Sequence, residues 1–187
     1  MTKQIILCYL LLLSQISIAK PYNQKWTHNE LSADIAQFSK QNFPVEQQKV
    51  KRFLGYSSYK ILMEAEQING YLLDPFRHDG ETFGGFSIRK KTSSLTAIQS
   101  MELKKILSSD ANYAFDNMMK NCTFTPKLGL EFRKGTQILR ILISYDCRVW
   151  RFVGEGINKE EDFDPSYELM LAYLQKIFPN DSPRKNN

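Results

Sequence analysis

Two runs of alternating residues, 122–133 and 137–149, stand on either side of Lys134-Gly135, and each carries a cysteine at its far end. In the first run Cys122, Phe124, Pro126, Leu128, Leu130 and Phe132 fall on one side, and Thr123, Thr125, Lys127, Gly129, Glu131 and Arg133 on the other. In the second, Gln137, Leu139, Ile141, Ile143, Tyr145, Cys147 and Val149 form the apolar set. A period of two marks a half-buried strand. With a two-residue turn at Lys134-Gly135 the runs pair as a hairpin in which Leu130 faces Leu139, Leu128 faces Ile141 and Cys122 faces Cys147. Arg133 and Thr136 then form a hydrogen-bonded pair. The even positions of the first strand become non-hydrogen-bonded sites, where Cβ atoms come within reach of a disulfide. The expectation is a structural Cys122–Cys147 bridge, which survives even if Pro126 ends the ladder early; a reactive thiol or a metal ligand is the competing reading.

A disulfide needs an oxidising compartment, and the opening MTKQIILCYLLLLSQISIAK agrees with one. It has a cation at Lys3, an apolar core over residues 5–13, and Ser17 and Ala19 spaced as a cleavage site, which together read as a secretory signal over residues 1–19. A membrane anchor needs about 20 apolar residues, and this run is broken by Ser14, Gln15 and Ser17. Cys8 lies inside the apolar core and leaves with the signal. The expectation is a periplasmic or secreted protein with no stable membrane insertion after cleavage. Residues 20–178 then form one exported domain, and residues 179–187 a polar tail. Lys and Arg number 25 against 20 Asp and Glu, a formal net charge of +5 with the signs interspersed. Nucleic-acid binding calls for a basic stripe interleaved with aromatics; Arg89-Lys90-Lys91, the nearest candidate, reads as a solvated strand edge.

Upstream, Thr27 and Glu30 form a capping box, with Trp26 and Leu31 placed as a hydrophobic staple. A helix follows with Leu31, Ile35 and Phe38 on one face, ending before Pro44. Residues 59–65 fit either period and read as a strand through Tyr59, Ile61, Met63 and Ala65. Asp74-Pro75 and Asp79-Gly80 punctuate a loop. Residues 82–89 read as a strand in which Gly84-Gly85 marks a bulge or a close backbone approach. Ser94 is placed to cap a helix running to about Leu107, and Asp110 a second one carrying Tyr113, Phe115, Met118 and Met119. Glu160-Glu161-Asp162 reads as an acidic loop. Asp164-Pro165 then opens a helix with Tyr167, Met170, Leu171, Leu174 and Ile177 on one face. The sum is an α+β domain, a mostly antiparallel sheet with helices on one face.

Cys122-x-Phe124-x-Pro126-x-x-Gly129, followed by a hairpin, an aliphatic strand and Cys147, and preceded by Phe53-Leu54-Gly55-Tyr56, resembles a family of uncharacterised exported bacterial proteins. In that family the frame reads roughly Cys-Phe-x-Pro-Arg-His-Gly and ends Cys-Phe-x-Cys. Here Lys127-Leu128 stands in place of Arg-His, and Ser144 in place of the first cysteine of the closing pair. The resemblance covers about half of the exported chain. It implies an exported α+β domain and no particular activity.

The densest polar cluster is Arg77-His78-Asp79-Gly80-Glu81. His78 is a candidate general base oriented by Asp79 or Glu81, or with them part of a divalent-metal site; the plain alternative is an Asp-Gly turn. No H-E-x-x-H, phosphate-binding loop, dinucleotide fingerprint or nucleophile elbow occurs, so no cofactor, metal or catalytic residue is assigned. His28 reads as solvent-exposed, and Met118-Met119 as core. Two function classes remain. The first is a non-catalytic binding module that recognises another envelope or secreted protein, for instance an inhibitor or immunity-type protein, with Arg77, His78, Asp79 and Glu81 as candidate binding residues. The second is a small hydrolase or metal-dependent enzyme using the same loop. A structural envelope component is not separable from the first.

Overall fold

The structure, a computed structural model, describes residues 48–115 and 120–179. The signal segment, the expected Thr27-capped helix, Met118-Met119 and most of the polar tail lie outside the described residues. The described chain enters through two short helices, α1 (Gln48–Leu54) and α2 (Tyr56–Glu64). Gly55 separates them with a φ of 77°, which a glycine adopts without a steric penalty. Residues 59–65, expected as a strand, are mostly α2 instead. The period-two apolar set is accidental, since Ser58, Tyr59, Ile61 and Leu62 make one buried helical face while Met63 is only half-buried. The strand comes next, as β1 (Gln67–Asp74).

The single strand expected over 82–89 is a hairpin, β2 (Thr82–Phe83) and β3 (Phe86–Lys91), turning at Gly84-Gly85, both at positive φ. The expected close approach is real: a Cβ on Gly84 would stand 2.7 Å from a Leu142 methyl. Helix α3 (Ala97–Ser108) starts later than Ser94. Its cap is Thr96, whose hydroxyl accepts from the Gln99 amide while the Gln99 side chain accepts from the Thr96 amide. Ser94 instead donates to Asn69 and accepts from Gln67. Asp110 opens only a 3-10 turn (Asp110–Asn112), not a helix. Its carboxylate is spent on another element, accepting from the amides of Lys49 and Val50 at the start of α1.

Four strands follow: β4 (Leu128–Lys134), β5 (Gln137–Ser144), β6 (Val149–Gly154) and β7 (Ile157–Asp162). Glu160-Glu161-Asp162 is therefore strand, not loop; Asp162 is buried, and Arg151 on β6 pairs with Glu160. A 3-10 turn (Asp164–Ser166) with Pro165 at its start leads into α4 (Tyr167–Ile177), which buries Met170, Leu171, Tyr173 and Leu174. The sheet runs β2-β3-β1-β4-β5-β6-β7, with every pairing antiparallel.

The β4–β5 register differs from the expected one by two residues. The turn is Gly135-Thr136, with Gly135 at φ 55°, so Leu130 faces Ile141 and Leu128 faces Ile143. A shift of two leaves every side chain on its expected face. Leu128, Leu130, Phe132, Leu139, Ile141, Ile143, Trp150 and Phe152 thus line the helix-covered face, all essentially inaccessible, with α2 against β4 and β5. Each such side chain contributes roughly 1.5–3 kcal/mol on burial. β4 is not half-buried as expected, because its other face is also covered from Gly129 to Glu131. There Phe83 lies over Gly129, in a second apolar cluster with Tyr71, Leu73 and Leu142.

Candidate functional site

The sequence-predicted cluster forms the exposed connection between β1 and β2, and its polar groups are turned on one another and on β3. Asp74 accepts from the Phe76 amide at 3.0 Å, the local turn expected of an aspartate at this position. Arg77 grips Asp79 with two parallel bonds, Nε to Oδ1 at 3.1 Å and a terminal nitrogen to Oδ2 at 2.8 Å. Ser87 on β3 donates to both the backbone oxygen and the carboxylate of Asp79. The Arg77 guanidinium beside it is the main cause that holds the Asp79 carboxyl down, from an ordinary 3.8 to about 2, with Ser87 adding to the effect. Glu81 pairs with Lys91, and the Ser87 and Ile88 amides donate to the Arg77 and Glu81 carbonyls.

His78 stands apart from these carboxylates. Its Nδ1 lies 2.8 Å from the Gly85 carbonyl oxygen, which can only accept, so Nδ1 carries the proton. The ring also tilts against Phe86 at 5.6 Å between centroids. The structure therefore brings Arg77 and Asp79 together, and joins His78 to the Gly84-Gly85 turn, but it gives His78 no hydrogen bond or ion pair with Asp79 or Glu81. The arrangement expected of an oriented general base is not assembled here. Among the described residues no group of three or more His, Cys, Asp or Glu is placed to hold a metal ion.

One residue of this loop escaped the sequence reading. Phe76 is 80% exposed, the most accessible large apolar side chain among the described residues. The available signal was a phenylalanine inside an otherwise polar turn, Asp74-Pro75-Phe76-Arg77, where no alternation toward a core calls for it.

The cysteines do form a disulfide, Cys122–Cys147, with Cα atoms 6.0 Å apart. They reach it outside the ladder. Residues 120–127 carry no strand, because the ladder begins at Leu128, beyond Pro126, as the early-ending alternative anticipated. The incoming segment is held against the end of β5 by the Lys127 amide on the Ile143 carbonyl and by the Thr125 amide on the Ser144 hydroxyl. Ser144 is thus a positioning hydroxyl. Lys120 pairs with Asp164 at 2.6 Å and donates to the Cys147 carbonyl at 3.2 Å, so the bridge is flanked by charge but its sulfurs are spent on each other.

No protein-family model, no curated protein and no solved structure matches this chain. No helix among the described residues is long and apolar enough to cross a membrane.

Proposed function

We propose that the protein is an exported, non-catalytic protein-binding module that engages another envelope or secreted protein through the residue 76–81 loop, in the manner of an inhibitor or immunity-type protein. The observation that carries this reading is the exposed Phe76 at the head of a loop whose own hydrogen bonds hold it in one conformation. An exposed aromatic beside an arginine has the composition of an interface hot spot, and an internally braced loop loses little conformational entropy on binding. The disulfide and the leader-like opening support an oxidising compartment, as does the resemblance to exported bacterial proteins. The enzyme reading has less support, since Asp79 is engaged by Arg77 and Ser87, Glu81 by Lys91, and His78 by a backbone carbonyl.

The test is affinity capture from an envelope extract with the immobilised mature protein and with its Phe76→Ala variant. A partner retained in stoichiometric amount by the wild type and lost by the variant supports the reading. Equal retention by both contradicts the assignment to this loop.

A further inference from the structure

On the face of the sheet that the helices leave uncovered, strands β4 and β5 set three charged side chains around one point. Glu131 on β4 pairs directly with Arg140 on β5, and Arg133 is the next residue of β4 on the same face. The Glu131 side chain is only 6% exposed, and each of its oxygens takes one arginine: Oε1 from Arg133 at 2.8 Å and Oε2 from Arg140 at 3.1 Å. A guanidinium has five N–H donors, so each arginine spends only part of its donor set on Glu131, and both remain about two-fifths exposed. Among the described residues no acceptor engages the two terminal nitrogens of Arg140.

The surroundings complete a site. Phe83 stacks on Tyr71 at 4.5 Å between centroids, and the Arg140 guanidinium lies 5.6 Å over the Phe83 ring, which holds that guanidinium in place. The Tyr71 hydroxyl, shifted upward mainly by burial and secondarily by Glu131, feels Lys91, Arg133 and Arg140 pulling the other way, so three cations lie within electrostatic reach of one hydroxyl. Lys91 is offset by Glu81, and one arginine by Glu131. Among these five described groups one positive charge is left over. That balance suits a monoanion with two in-plane acceptors, the geometry a guanidinium matches, better than a doubly charged phosphate.

We infer that Arg133 and Arg140 form a receptor for a single carboxylate, presented as an acidic side chain by the protein partner. The inference rests on the binding-module reading and names what that module recognises beyond Phe76. A partner residue that inserts its carboxylate here bridges the two arginines above Glu131.

The experiment follows the arginine Nε–Hε signals by NMR in the mature protein during three titrations. The probes are a blocked glycine-flanked peptide with one glutamate, the same peptide with glutamine, and inorganic phosphate. The inference predicts saturable shifts at Arg133 and Arg140 with the glutamate peptide alone, and weaker, non-saturating effects of phosphate. Arg140→Gln should weaken the glutamate peptide about tenfold or more, the effect of losing a charge-assisted hydrogen bond. An absent response, an equal response to the glutamine peptide, or tighter phosphate binding overturns the carboxylate receptor. Because the comparison of peptides needs only the wild type, it does not depend on the variant folding. Failure here alongside Phe76-dependent partner capture removes this site and leaves the binding module standing.

Discussion

Phe83 lies across Gly129, so close that a Cβ built on the glycine would stand 2.5 Å from the ring. This contact seats the β2–β3 hairpin on the sheet, and with it Ser87 and the Gly85 carbonyl, which hold Asp79 and His78. Fold and candidate site are therefore joined through one missing methyl. Gly129→Ala should cost roughly 1–3 kcal/mol by overpacking a buried ring, read as a lowered urea midpoint at unchanged slope. It should also shift the loop amides; an unchanged midpoint would show that the hairpin is not seated this way.

The bridge makes a second prediction. Closing a loop between residues 25 apart contributes about 3.5 kcal/mol in the chain-entropy description. The mature protein, denatured without reductant, should titrate essentially no free thiol, and the Cys122→Ser, Cys147→Ser double variant should lose stability of that order. Two titratable thiols would contradict the bridge.

Asp110 supplies a third. With Oδ1 2.7 Å from the Val50 amide and Oδ2 2.9 Å from that of Lys49, it satisfies donors at the start of α1 from a distant part of the chain. Asp110→Ala should cost about 1 kcal/mol and speed amide exchange in α1. Exchange unchanged from wild type would mean that the cap is not made in solution.

The Asp79 carboxyl gives a pH prediction. Its value is depressed in the folded loop, to about 2 from an ordinary 3.8, so its contribution to loop order is complete above the ordinary value and is lost as pH falls through about 2. The Ser87 and Arg77 signals should therefore be nearly unchanged from neutral pH to about pH 4 and move only in stronger acid. A transition centred near 4 would show an unpaired carboxylate.

The alternation of residues 128–133 and 137–143 identified both strands and their faces, because a period of two is local information. Their register differs from the expected one by two because Gly135, at positive φ, is the first turn residue, before Thr136. α2 was hidden because Tyr59, Ile61, Met63 and Ala65 satisfy period two by chance, and only packing against β4 and β5 decides between the readings. Asp110 looked like a local cap since its true partners are remote in sequence. The loop residues Arg77, His78, Asp79 and Glu81 were found together, but their pairing was not, because neighbours in a turn point in different directions and the partners Ser87, Gly85 and Lys91 come from the hairpin.

We propose that the residue 76–81 loop recognises a partner rather than performing chemistry. The most direct measurement compares the affinities of Phe76→Ala, Arg77→Ala and His78→Ala for the captured partner, each variant first checked for a wild-type thermal midpoint. The largest losses are expected for Phe76→Ala and Arg77→Ala, by tenfold or more as for hot-spot truncations of about 1.4 kcal/mol and above, with His78→Ala milder. Wild-type affinity in all three variants, or a loss confined to His78→Ala accompanied by loss of a turnover activity, would contradict it.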